Sequence, residues 1–113
     1  MSKLDEKVAK YCDAYKAKVG NDLDEDLMRK VTRGLGPSIY SRDAETLSME
    51  KSEMERVANN YVAKKLGVQD DMDARMGAVE ACMEKYGRSE RAKYRAVIYY
   101  MLCKHYGKEE IYG

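Results

Sequence analysis

The chain has 113 residues, within the usual size of one domain, and 44% of them are hydrophobic, so it can bury a core without disulfides or a metal. Charged residues make up 36% and there is one proline, a globular rather than a disordered balance. Lys and Arg number 21 against 20 Asp and Glu, so the net charge of +1 provides no long-range attraction to nucleic acid or an anionic membrane.

The N-terminal residues mix both charge signs and lack the apolar stretch of a signal peptide. The longest uncharged run in the last helical pattern, Ala96 to Cys103, is too short to cross a bilayer. Cys12, Cys82 and Cys103 are odd in number and far apart, which suits a reducing compartment. These features imply a cytoplasmic protein without a membrane anchor.

Five helical patterns follow one another. The first runs from about Leu4 to Val19, with Leu4, Val8, Tyr11 and Tyr15 on one face, Ser2 and Asp5 as a near capping box and Gly20 as a left-handed stop. The second begins near Asp22, with Asp24 and Glu25 in its first turn and Leu27, Val31 and Leu35 as its core stripe. Gly34 and Gly36 stop it and Pro37 prevents it resuming. Residues 36–48 read as the longest irregular segment, with a short helical turn over 43–47 and with Ile39 and Tyr40 tucked onto the core.

The third pattern starts near Ser52, which with Glu55 makes a capping box. Met54, Val57, Ala58, Tyr61, Val62 and Leu66 form its stripe, and Gly67 ends it. The fourth spans about Asp71 to Tyr86 on Met72, Met76, Val79 and Met83. The fifth is predicted to start at a Ser89 cap and carries Tyr94, Val97, Ile98, Met101, Leu102 and His105 on one face. Ala92, Ala96, Tyr99 and Cys103 form a weaker second face, so this helix is either central or shared with a partner chain, and the central placement is preferred. No strand-like alternation, internal repeat or domain boundary is visible. The expected fold is an all-α, single-domain bundle of about five short helices over residues 1–113, with the C-terminal one central.

Several segments together carry a family resemblance. They are Gly36-Pro-Ser-Ile-Tyr40 followed by Arg42-Asp-Ala44, Asn59-Asn-Tyr-Val-Ala-Lys-Lys-Leu-Gly67, and Met83-Glu-Lys-Tyr-Gly-Arg-Ser-Glu-Arg91. Lys93-Tyr-Arg-Ala-Val97, Lys104-His-Tyr-Gly107 and Ile111-Tyr-Gly113 complete the set. Their order resembles a family of small bacterial proteins catalogued only as a domain of unknown function. That resemblance implies a bacterial source and a compact helical fold, and brings no activity, cofactor or catalytic residue.

Known chemical signatures fail on their own geometry. Gly34-Leu-Gly-Pro-Ser38 follows a helix instead of a strand and lacks the Gly-Lys-Ser/Thr of a phosphate loop. Asp22-Leu-Asp-Glu-Asp26 places Leu27 and Arg33 where a calcium loop needs glycine and a bidentate glutamate. A single histidine without a Cys-x-x-Cys offers too few zinc ligands. Any Ser–His or Cys–His pair must use His105, which the spacing assigns to the buried stripe. No carboxylate lies in an apolar run that would prepare it for acid–base work. The sequence therefore points to a non-enzyme with no cofactor and no metal.

Ten tyrosines stand without any tryptophan or phenylalanine. At helical spacing, Tyr11, Tyr15, Tyr61 and Tyr86 read as rings packed on the core with hydroxyls in water. Adjacent Tyr99 and Tyr100 diverge, so one of them meets a loop, another helix or a partner, and Tyr99, Tyr100 and Cys103 become candidate interface residues. The strongest local anomaly is the turn from Lys85 to Arg95, with five basic residues and one acid. Arg91 and Lys93 would follow the Ser89 cap, where the helix dipole disfavours positive charge.

Two functions are consistent with these features. The preferred one is a small non-catalytic structural or protein-interaction domain, as a homodimer or with another protein. The alternative is a weak binder of phosphate-type anions or nucleic acid through Arg88, Ser89, Arg91 and Lys93. Pairing of Arg91 and Arg95 with acids of the second helix or of the loop around Asp43 is favoured over DNA binding, because DNA-binding domains are usually basic.

Overall fold

A computed structural model describes residues 2–113. Helix α1 (Lys3–Lys18) opens with the expected capping box, in which the Asp5 amide donates to Ser2 Oγ at 3.1 Å and the Ser2 amide donates back to Asp5 at 3.3 Å. Gly20 does not adopt the left-handed conformation; its amide and that of Val19 both bond the Tyr15 carbonyl and wind the helix end down. Helix α2 (Glu25–Gly34) starts later than expected. Asp24 is its cap, accepting the Leu27 amide at 3.1 Å, while Asp22 stays outside and accepts the Tyr15 hydroxyl at 2.8 Å.

The irregular segment is more ordered than its glycines suggest. A 3-10 turn (Gly36–Tyr40), helix α3 (Arg42–Glu45) and strand β1 (Thr46–Leu47) follow one another directly. Ile39 is buried, but Tyr40 is half exposed and does not tuck onto the core.

Helix α4 (Lys51–Val57) begins without the Ser52–Glu55 capping box, because Ser52 already lies inside the helix and Glu50 occupies the cap position with no side-chain bond. It continues as a π-helical stretch over Ala58–Lys65. The cause is legible in the apolar spacing. Val57 with Ala58, Tyr61 with Val62, and Leu66 recur at steps of four or more residues, wider than the 3.6 of an α-helix, and all are buried. Widening the turn keeps them on one face, and the Leu66 amide reaches back to the Tyr61 carbonyl at 2.8 Å.

Helix α5 (Met72–Gly87) is capped by Asp71 and buries Val79, Cys82, Met83 and Tyr86, with Met72 and Met76 only partly buried. Strand β2 (Lys93–Tyr94) pairs antiparallel with β1 in the register Thr46 to Tyr94 and Leu47 to Lys93. Helix α6 (Arg95–Tyr106) follows at once and ends at Gly107 in the left-handed conformation. A last 3-10 turn (Glu109–Tyr112) returns to the bundle, where the Tyr112 hydroxyl meets that of Tyr61 at 2.8 Å.

The all-α bundle is confirmed, with one short helix and a two-residue ladder added. Eight consecutive residues of α6, Ala96 to Cys103, are buried, so the C-terminal helix is central. No helix among the described residues is long and apolar enough to cross a membrane.

Six of the ten tyrosines are buried in the core and do not form a wet rind. Tyr11, Tyr15, Tyr61 and Tyr86 are all buried, and internal partners take the hydroxyls of the first three. Tyr99 stacks on Tyr61 with centroids 3.9 Å apart and 15° between planes. Its neighbour Tyr100 meets Tyr15 edge-on at 5.1 Å. Diverging directions on α6 thus give each ring a different helix to pack against.

Candidate functional site

The basic turn changes character once its helices are located. Ser89 does not cap α6. It is exposed in the turn after α5, and α6 begins six residues later behind β2, with Tyr94 at its cap position. Lys85 and Arg88 therefore sit at the C-terminus of α5, where the helix dipole favours them, while Lys93 lies in β2 and Arg95 opens α6. Arg88 follows this logic, bonding Glu84 at 2.6 Å one turn back and approaching Glu80 at 3.9 Å. Gly87 has φ 137, and the Glu90 amide returns to its carbonyl at 3.0 Å to close the turn. The apolar reading of Ala92 also fails, since that residue lies in the exposed link before β2.

Three of the four anion candidates share one concavity. Arg88, Arg91 and Lys93 line an open groove of 420 Å³, whose other wall is the Ser48–Glu50 segment between β1 and α4. The β ladder brings these walls together. The Ser89 side chain does not line the groove.

Lys93 is the unusual member. It is 1% exposed, because pairing with β1 sets it opposite the buried Leu47. Its ammonium donates to the Glu90 carbonyl and forms no ion pair among the described residues. Burial lowers its affinity for a proton, an effect that Arg88 reinforces and the Glu90 carboxylate opposes. The Glu90 carboxylate is committed elsewhere, to Lys18. Arg91 is exposed and likewise unpaired among the described residues.

The internal pairing expected of Arg91 and Arg95 takes another form. Arg95 does reach the loop around Asp43, but its Nε donates to the Ala44 carbonyl at 2.7 Å and its second nitrogen to the Tyr99 hydroxyl at 2.9 Å. Among the described residues, neither arginine pairs with an acid. The carboxylate that matters in this region is Glu45, which accepts from Lys7 at 2.8 Å, Lys10 at 3.3 Å and Tyr11 at 2.6 Å. Burial alone would raise its pKa, but these three donors outweigh it and draw the value down. Nothing in the sequence marks Glu45, since its donors come from a helix more than thirty residues away.

The candidate interface residues are also corrected. Tyr99 is 8% exposed, and Tyr100 and Cys103 are 0% exposed within the single chain, so none presents a surface to a partner. They are enclosed because α5, α2 and α1 pack along α6, and Tyr61 of the π-helical stretch stacks on Tyr99. A helix so covered cannot enter a DNA groove. His105 lies exposed beside Tyr106, off the buried stripe, because the stripe stops at Cys103.

The thiols are poor nucleophiles. Burial pushes Cys82 and Cys103 up to about 11, leaving both protonated at neutral pH. Among the described residues, no three His, Cys, Asp or Glu side chains converge on one point.

Comparison with curated proteins finds no match to this sequence. The family described as "Protein of unknown function (DUF2853)" matches residues 10–110, and the chain belongs to that family.

Proposed function

We propose that the protein is a non-catalytic interaction domain that grips an acidic segment of a partner protein in the groove between Arg91 and the Ser48–Glu50 segment. One observation carries this reading: Lys93 is a buried amine lining the groove with a carbonyl partner but no counter-ion among the described residues. A buried cation without an anion is costly, and an incoming carboxylate would remove that cost while Arg91 adds a second charged hydrogen bond. The apolar side chain of Met49 supplies a contact for the stem of an acidic residue.

A bacterial cytoplasmic setting belongs to the same proposal. It is supported by three buried thiols that are free, and by the resemblance carried by Gly36-Pro-Ser-Ile-Tyr40 and Tyr86-Gly-Arg-Ser-Glu-Arg91, which we take as the signature segments.

Titration of the ¹⁵N-labelled protein with a hexaglutamate peptide tests the proposal. Saturable shifts confined to 48–50 and 88–93, weakening with salt and about tenfold weaker in Arg91→Glu, are the expected result. Binding elsewhere, or tighter binding of single-stranded DNA at the same amides, defeats it.

A further inference from the structure

A second concavity lies on another part of the molecule, between the last turns of α1, α5 and α6. It encloses 290 Å³, about the lower end of small-ligand sites. Its inner surface is aromatic and apolar. The rings of Tyr15 and Tyr100 form one wall at 76° to each other, and the buried side chains of Cys82 and Met101 line the cavity beside them. Charge is confined to a few side chains, Asp22, Lys85 and Lys104, with His105 beside them.

These charges are not equivalent. Asp22 accepts the Tyr15 hydroxyl at 2.8 Å and remains ionised, held below the usual carboxylate range by that bond first and by its own backbone next. Lys104 stands 3.6 Å from Glu109 and so has an internal counter-ion. Lys85 is exposed and forms no ion pair among the described residues. The cavity therefore offers one uncommitted positive charge beside an aromatic and thioether surface, with a fixed negative charge nearby.

From this arrangement the geometry points to a non-covalent binding site for a small apolar monocarboxylate, its carboxylate on Lys85 and its hydrocarbon body against Tyr15, Tyr100 and Met101. A dianion such as phosphate would meet the Asp22 carboxylate with only one free cation to offset it and would leave the apolar wall unused. An apolar amine would find Asp22 already bonded by the Tyr15 hydroxyl and within the field of Lys85 and Lys104, which would repel it. The Cys82 thiol keeps its proton and contributes a polarisable surface, so no covalent step is involved.

Benzoate is the probe. In ¹H–¹⁵N titrations of the full chain it is expected to shift the amides of Val19, Ala81 and Met101 saturably, while inorganic phosphate and benzylamine leave them unchanged. Lys85→Gln should weaken benzoate about tenfold, the loss of one charge-assisted hydrogen bond. Ala81→Leu, which fills the mouth from an exposed position, should abolish binding with an unchanged helical spectrum. Arg91→Glu should bind benzoate as wild type, which keeps this site separate from the groove at β2. Failure of benzoate to saturate, undiminished binding by Lys85→Gln, or equal binding of phosphate or benzylamine at these amides overturns the proposal.

Discussion

The Tyr11 hydroxyl donates to Glu45 Oε2 across 2.6 Å, joining the middle of α1 to the short helix α3. Tyr11 is fully buried, so its donor has no water to fall back on. Lys7 and Lys10 converge on the same oxygen, and Arg95 holds the neighbouring Ala44 carbonyl. One carboxylate thus anchors the segment that leads into β1, and through β1 the groove wall.

Glu45→Ala should destabilise the protein by about 1–3 kcal/mol, since it leaves a buried hydroxyl unsatisfied, whereas Glu45→Gln keeps an acceptor and should lose less. The pH dependence has a defined sign. A carboxyl whose folded pKa is lowered contributes stability above its unfolded value, near 4.5, and loses it as pH falls through the folded value. Urea midpoints for wild type and Glu45→Ala should therefore converge in acid; parallel curves down to the acid limb contradict this.

Lys93→Met should separate stability from binding. The substitution keeps the stem and removes a buried charge, so the domain should be unchanged or up to about 2 kcal/mol more stable, while hexaglutamate binding is lost. A large drop in the thermal midpoint would show that the Lys93 bond to the Glu90 carbonyl outweighs the cost of burial.

Alkaline conditions should weaken the fold well before arginine discharges. Cys82 and Cys103 titrate near 9.0 when unfolded and about 11 when folded, so their contribution is complete below pH 9 and is lost as pH rises to about 11. Each can account for about 2–3 kcal/mol, the equivalent of its shift. The buried tyrosines, also raised chiefly by burial, add to the loss above pH ~10. Denaturant midpoints measured across this range should fall, and Cys82→Ala with Cys103→Ala should delay the onset. A flat profile counts against both.

Leu102→Ala, at a fully buried position of α6, should cost about 2–5 kcal/mol through lost transfer energy and a cavity. His105→Ala, three residues on and exposed, should stay within about 0.5 kcal/mol of wild type. Equal effects at the two positions would mean that α6 is not enclosed as described.

Sequence periodicity by itself determined the five longer helices and most of their apolar residues, and it favoured the central place of the last one. Those features arise from local spacing and from how much apolar surface a segment must hide, as the all-round run from Ala96 to Cys103 illustrates. Three other features were decided only by tertiary structure. The start of α6 depends on a ladder between residues 46–47 and 93–94, too short to leave any alternation in the chain. The burial of Lys93 follows from that pairing, so a residue that reads as a surface cation is a desolvated amine. Glu45 gains its donors, and Tyr99 and Tyr100 their separate ring partners, from helices distant in the sequence. Apolar periodicity is written locally, whereas the partners of a charge or a hydroxyl are chosen by long-range packing, and the site is built from such partners.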